Sequence, residues 1–197
     1  MLIALTGLAG SGKSTVAKLT GFVEMAFAAP MKEFCGQVFG FTDEELYGPS
    51  EARERPSKTF KRPDGTPLTA RYALQTLGTE WGRNCDPDVW AKACLAGAKK
   101  AMALGSIFEN VVITDLRFVN EARLVREAGG FIWRVNRYPF EASDNGAPLH
   151  ASEREVYSDE MDRLVDYTIH NYFGLHELKM SVEEAVNQFR KGADCGN

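Results

Sequence analysis

The segment Gly7-Leu8-Ala9-Gly10-Ser11-Gly12-Lys13-Ser14 constrains this chain more than any other, because it stands between the apolar run Leu2 to Thr6 and a stretch suited to a helix. Strand, glycine-rich turn and helix in that order make a phosphate-binding loop, or P-loop. Its glycines let successive backbone N–H groups turn inward onto phosphate oxygens. Lys13 adds a mobile positive charge for the β- and γ-phosphates, and the Ser14 hydroxyl is placed to ligate magnesium. The helix that the loop opens contributes the partial positive charge of its N-terminus. Gly10, Ser11, Gly12, Lys13, Ser14 and Thr15 are therefore the expected contacts of a nucleoside triphosphate, with ATP and Mg2+ as cofactors. A glycine turn that merely joins strand to helix is the plainer alternative, and it does not explain four fixed positions arriving in this context.

A chain of 197 residues suffices for one well-buried core with a small insertion, and is short for two domains. A net charge of −4 gives no sign of a surface that coats nucleic acid, so no polynucleotide partner is expected. The cysteines Cys35, Cys85, Cys94 and Cys195 are dispersed, without a CxxC pair, and read as reduced thiols. His150, His170 and His176 have no spacing that suggests a metal site or a triad. No apolar stretch reaches the roughly 18 residues of a membrane span, and Met1 leads directly into the first strand without a basic leader. A cytoplasmic protein with no membrane partner is expected.

Short apolar or β-rich runs recur at Leu2 to Thr6, Phe22 to Phe27, Val111 to Thr114, Phe131 to Val135 and Tyr167 to Ile169, with helix-compatible segments between them. This alternation predicts an α/β fold with a mainly parallel five-stranded sheet covered by helices on both faces. Ligands in such folds sit at the carboxyl ends of the strands, where Gly7, Asp115 and Arg117 would emerge. S-x-x-E patterns at Ser152 with Glu155 and at Ser181 with Glu184 predict helix starts, and Gly129-Gly130 predicts the stop of a helix over Asn120 to Ala128. Val182, Ala185, Val186 and Phe189 form the apolar stripe of the last helix. Two stretches break the rhythm. The long polar region about residues 41–104 is expected to be an inserted acceptor-binding segment within a single domain of residues 1–197, with the core at 1–40 and 105–197. The segment Tyr138 to Ala151, rich in Pro, Gly, Ser, Asp and Asn, is expected to form a short lid over about 138–151.

Asp115 and Arg117 end a buried strand, and there a carboxylate can hold the magnesium shell while a guanidinium grips phosphate. The same pair could instead cap the next helix and form a surface ion pair. Arg71 and Gln75, four apart, share a helix face, and Trp81 follows. Beside one another such side chains suit a nucleobase, although a solvated polar face and a core tryptophan explain the spacing as well. Arg134 and Arg137 flank the lid and could close over a triphosphate or simply end a strand. Arg53, Arg55, Lys58, Lys61 and Arg62 are diluted by Glu51 and Glu54 and read as a solvated loop.

Four blocks, Gly7 to Thr15, Phe27-Ala28-Ala29-Pro30-Met31-Lys32, Leu74-Gln75-Thr76-Leu77-Gly78-Thr79-Glu80-Trp81-Gly82-Arg83 and Asp115-Leu116-Arg117-Phe118-Val119-Asn120-Glu121, resemble the bacteriophage-type deoxynucleoside monophosphate kinases. The resemblance implies a P-loop kinase fold that moves the γ-phosphate of Mg-ATP onto a deoxynucleoside 5′-monophosphate, in the cytoplasm of the host cell if the chain is phage-encoded. By matching positions it implies that Lys13 and the loop amides hold ATP, and that Ser14 and Asp115 organise magnesium. Lys32, Arg71 and Arg83 would hold the acceptor, with Gln75 and Trp81 beside them. Arg117, Arg134 and Arg137 would complete a cationic, catalytic cage with Lys13, and Asn171 would lie at the adenine end. A dephospho-coenzyme-A kinase of the same architecture and a nucleotide-sensing module without turnover stay open as alternatives, as does a homodimer.

Overall fold

The computed structural model describes residues 1–105, 109–137 and 155–194. Five strands, β1 (Leu2–Thr6), β2 (Val23–Met25), β3 (Val111–Ile113), β4 (Phe131–Asn136) and β5 (Tyr167–His170), form one sheet in the order β2-β3-β1-β4-β5. Every pairing is parallel, with Ala4 opposite Ile113 on one side and Thr6 opposite Arg134 on the other. Parallel strands need crossovers, and helices supply them. β1 is buried along its whole length, which is why it reads as an unbroken apolar run rather than an alternating one.

The chain divides into two compact units, residues 1–26 with 95–197, and residues 27–94. In the first, α1 (Lys13–Thr20) and α10 (Leu175–Asp194) cover one face of the sheet. Val16 and Ala17 of α1 and Leu178, Val182, Ala185 and Val186 of α10 pack there against Ile3, Leu5, Trp133, Val135 and Ile169. α8 (Val119–Glu127) packs on β1 and β4 through its buried Ala122 and Val125. It ends as Gly129-Gly130 predicts: Gly129 takes φ 76°, and the Gly130 N–H donates to the Val125 carbonyl at 2.9 Å. Successive side chains of a strand point to opposite faces, so with Ile3 and Leu5 under α1, β1 and β3 send their following helices to opposite sides of the sheet. The crevice between those exits is where an open α/β sheet accepts a ligand.

The second unit contains α2 (Ala29–Phe39), α3 (Asp43–Tyr47), α4 (Ser50–Arg53), α5 (Ala70–Gln75), a π-helical segment (Thr76–Gly82), α6 (Arg83–Cys85) and the start of α7 (Val89–Ala103). It therefore begins earlier and ends earlier than the 41–104 region marked out by sequence. Cys35, Phe41, Leu46, Leu68, Ala70 and Ala73 make its own core, and burial pushes the Cys35 thiol up, in keeping with an inert hydrophobe. α3 opens with a capping box in which Thr42 and Glu45 bond each other's backbone. The basic residues are used locally: Arg55 forms a two-pronged pair with Glu44, Arg53 donates to the Gly48 carbonyl, and Arg62 lies over the Tyr72 ring.

Ser181 does not start a helix. It lies inside α10, where its hydroxyl donates back to the Glu177 carbonyl at 3.0 Å, because burial of Leu178 extends the apolar stripe a full turn upstream. α9 (Asp159–Leu164) is capped by Ser158, whose hydroxyl accepts from the Met161 N–H. The lid segment 138–151, His150, Ser152 and Cys195 lie outside the described residues. Among the described residues no helix is long and apolar enough to cross a membrane.

Ser181→Ala should change unfolding free energy by no more than about 0.5 kcal/mol in a urea titration, as for a mid-helix surface position. A loss of about 1 kcal/mol or more would instead mark it as a cap.

Candidate functional site

The loop after β1 is shaped by its neighbours as much as by its glycines. A Cβ on Gly7 would lie 2.4 Å from the Val135 carbonyl oxygen, and one on Gly12 would lie 2.4 Å from the Asn171 amide nitrogen. Both glycines take positive φ, 141° and 103°, which bulkier residues rarely adopt. The Ser11 N–H donates to the Leu8 carbonyl, and the Gly12 carbonyl accepts from Val16, which joins the loop to α1. Lys13 Nζ donates to the carbonyls of Gly7 and Leu8, each at 2.7 Å, so its charge is held over the loop. Among the described residues the buried hydroxyl of Ser11 has no hydrogen-bond partner. This cradle fits a phosphate chain: it offers backbone N–H groups, a hydroxyl and a cation, and has no room for a side chain at Gly7 or Gly12.

An open cavity of about 340 Å³ adjoins the loop, lined by Gly12, Thr15, Arg137, Asn171, Tyr172 and Leu175. The structure thus brings Thr15, Arg137 and Asn171 together, with Tyr172 and Leu175, which the sequence reading did not name. An exposed Tyr172-Phe173 pair directly after a strand was the available signal. Asn171 also donates through its side chain to the Ser11 carbonyl at 3.0 Å. At the end of β3, Asp115 is half-buried and Arg117 exposed. The start of α8 is served by Glu121, accepting from the Arg117 and Phe118 N–H groups, and by Glu155, accepting from Val119. Among the described residues no group of three or more His, Cys, Asp or Glu could hold a metal ion. Ser14 and Asp115 suit a cation that takes its remaining ligands from phosphate and water.

Arg134 is not available to a cage over the loop. It is only 8% exposed, donates to the Val156 carbonyl at 2.9 Å, pairs with Asp162 at 2.6 Å and lies over the Tyr157 ring. The reason is strand parity. Trp133 and Val135 point into the core beneath α10, so Arg134 points to the other face, while Arg137, past the end of β4, lines the loop cavity.

In the second unit Arg71 and Gln75 do share α5, with Arg71 paired to Glu54 and donating to Ser50. Lys32, on α2, lies 4.0 Å from the centre of the Tyr47 ring. Trp81 is 57% exposed, which sets aside the core alternative, and it stands on the π-helical segment that precedes Arg83. That segment has a structural cause. Trp90 packs where a Cβ of Gly82 would be and donates its indole N–H to the Gly78 carbonyl at 2.9 Å, while the Met31 sulfur fills the space beside Gly78. Widening the helix turns this carbonyl outward, and single-turn π segments often accompany functional sites.

No protein-family model matches the sequence. Over 184 residues, 88% of this chain and 92% of the other, it is 31% identical to a protein of Acanthamoeba polyphaga mimivirus named, by inference, a deoxynucleotide monophosphate kinase. The chain belongs to the deoxynucleotide monophosphate kinase family. Its coarse activity is that of a P-loop kinase, a phosphotransferase that uses a nucleotide. Among solved structures, a dephospho-CoA kinase from Campylobacter jejuni superposes with a TM-score of 0.48 at 12% identity, covering 95% of this chain and 96% of the other. TT1252 from Thermus thermophilus gives 0.49 at 16% identity, covering 95% and 97%.

Trp90→Phe keeps the ring but orphans the Gly78 carbonyl. It should lower the kinase's unfolding free energy by about 2 kcal/mol in a denaturant titration, the cost of a part-buried polar group left without its partner.

Proposed function

We propose that the protein phosphorylates deoxynucleoside 5′-monophosphates with ATP. The observation that carries this reading is the P-loop cradle, in which Gly7 and Gly12 have no space for side chains and Lys13 is poised over the loop carbonyls. It stands beside membership of a family whose relative is named for this substrate class. In the reaction the bond between the γ-phosphorus and the oxygen bridging it to the β-phosphorus breaks, and that oxygen leaves with ADP. A new bond forms from the γ-phosphorus to an oxygen of the acceptor's phosphate, giving a diphosphate. An acceptor phosphate oxygen is already a competent nucleophile, so the protein supplies position and charge rather than a strong base.

Within this reading the loop amides, Ser11 and Lys13 hold the triphosphate, and Lys13 follows the charge of the migrating group. Arg137, exposed at the rim of the loop cavity, and Arg117, exposed after β3, are the cations left to stabilise that group once Arg134 is assigned to packing. Ser14 and Asp115 would hold magnesium, which would neutralise charge on the phosphates. Lys32, Arg71 and Arg83 are proposed to grip the acceptor's phosphate, with Gln75 and Trp81 meeting its base. Trp81 is exposed as a stacking surface must be.

A coupled ADP-release assay over a panel of deoxynucleoside monophosphates, with ribonucleotides, dephospho-coenzyme A and no acceptor as controls, tests the reading. Turnover should appear with one or more deoxynucleotides; turnover with dephospho-coenzyme A alone refutes the substrate assignment. Lys13→Ala should cut turnover by at least about a hundredfold, the scale of a lost transition-state contact. Arg83→Ala should raise the acceptor KM and leave ATP affinity unchanged, and Asp115→Asn should move the magnesium titration to higher concentration.

A further inference from the structure

The P-loop is built from the residues least able to hold their own conformation. Gly10 and Gly12, both at positive φ, flank Ser11, and glycine passes between backbone regions with little resistance. The peptide joining Ser11 to Gly12 could therefore present either of its ends to a phosphate. In a trans peptide the carbonyl and the N–H point in opposite directions. With the Ser11 carbonyl turned out, the Gly12 N–H turns in as a donor; the reverse orientation would set the negative end of a dipole against an anion.

One side chain selects between these orientations. Asn171 Nδ2 donates to the Ser11 carbonyl at 3.0 Å across the sheet's carboxyl edge. The same nitrogen lies 2.4 Å from the place of a Gly12 Cβ, so a side chain at residue 12 would displace the Asn171 amide as well as strain the backbone. Asn171 is itself fixed. Its own N–H donates to the Asn136 carbonyl at 2.7 Å, and the Asn136 side-chain oxygen accepts from the Tyr157 hydroxyl at 2.8 Å. Tyr157 is anchored in turn by Arg134, which holds the Val156 carbonyl and lies over the ring. Burial pushes the Tyr157 phenol up, so it remains a donor throughout the neutral range.

We infer that Asn171, braced by Asn136 and Tyr157, is a positioning residue that locks the Ser11–Gly12 peptide with its N–H toward the triphosphate, instead of recognising the adenine. The inference rests on the nucleotide-binding role proposed for the loop. It gives the buried Arg134 a purpose at one remove, since the packing that withdraws it from the phosphates also steadies the brace. Preorganising a loop in its binding conformation raises affinity by removing the ordering cost from the binding step.

Two probes separate the possibilities. A non-hydrolysable ATP analogue and inorganic tripolyphosphate, which has no base, are titrated calorimetrically into the wild-type chain, Asn171→Ala, Asn171→Asp and Tyr157→Phe. The melting temperature of each is recorded, and KM is measured for both substrates. The expected result is a fall of about tenfold in affinity for both probes in the Asn171 variants and about threefold in Tyr157→Phe, the scale of one lost hydrogen bond. Acceptor KM should stay unchanged and melting temperatures close to wild type. Asn171→Asp, similar in size but without the donor, should do no better than Asn171→Ala. Loss of the ATP analogue with tripolyphosphate unaffected would mean that Asn171 acts on the base, and would overturn the inference. Unchanged affinity for both probes in every variant would overturn it too. If the wild-type chain binds neither probe, the loop's nucleotide role fails first. Tyr157→Phe, which removes only one oxygen, keeps the test decisive should an Asn171 variant fold poorly.

Discussion

The carbonyl oxygen of Val135 stands where a side chain of residue 7 would have to be, and much of the first unit's architecture follows from that contact. β1 can run against β4 to its last residue only if the chain leaves the sheet with no Cβ to clear. It then turns at once, at an angle that an L side chain would resist. The turn sends α1 to the face where α10 also packs, and it places the loop between the ends of β3, β4 and β5. A phosphate site on this protein is thus a by-product of strand packing as well as a string of glycines.

Much of this was legible beforehand, for physical reasons. β1 and β3, buried throughout, leave unbroken apolar runs, and the edge strands β2 and β5 carry β-formers, so all five strands could be read within a residue or two of their ends. The Gly129-Gly130 stop was equally plain, because few residues other than glycine enter the left-handed region without strain. What failed to read was whatever depends on a partner distant in sequence. Ser181 carries the local pattern of a cap, yet Leu178 buries itself and draws the helix past it. Arg134 and Arg137 look like a pair along the chain, but within β4 Arg134 faces away from Trp133 and Val135, while Arg137 lies past the strand's end at the loop cavity. Strand parity was available in the sequence, and it outweighs proximity.

The LQTLGTEWGR block was illegible in a different way. Its residues left open whether the tryptophan meets a base or the core, whereas Trp90, further along the chain, packs against Gly82 and Trp81 stays exposed. Two glycines one helical turn apart make this packing feasible, one admitting the Met31 sulfur and the other the Trp90 ring. The capture of the Gly78 carbonyl by an indole N–H then satisfies a group that a widened helix would otherwise leave without a partner. Position in the sequence could not tell which of two tryptophans faces solvent.

The contact between Gly12 and Asn171 reaches beyond the present molecule. Because the amide of one occupies the volume denied to the other, the two sites are coupled by exclusion although a sheet's width of chain separates them. In related chains a residue other than glycine at the first site should therefore come with a side chain at the second that is smaller or turned aside, and with a loop that relaxes the φ of 103°.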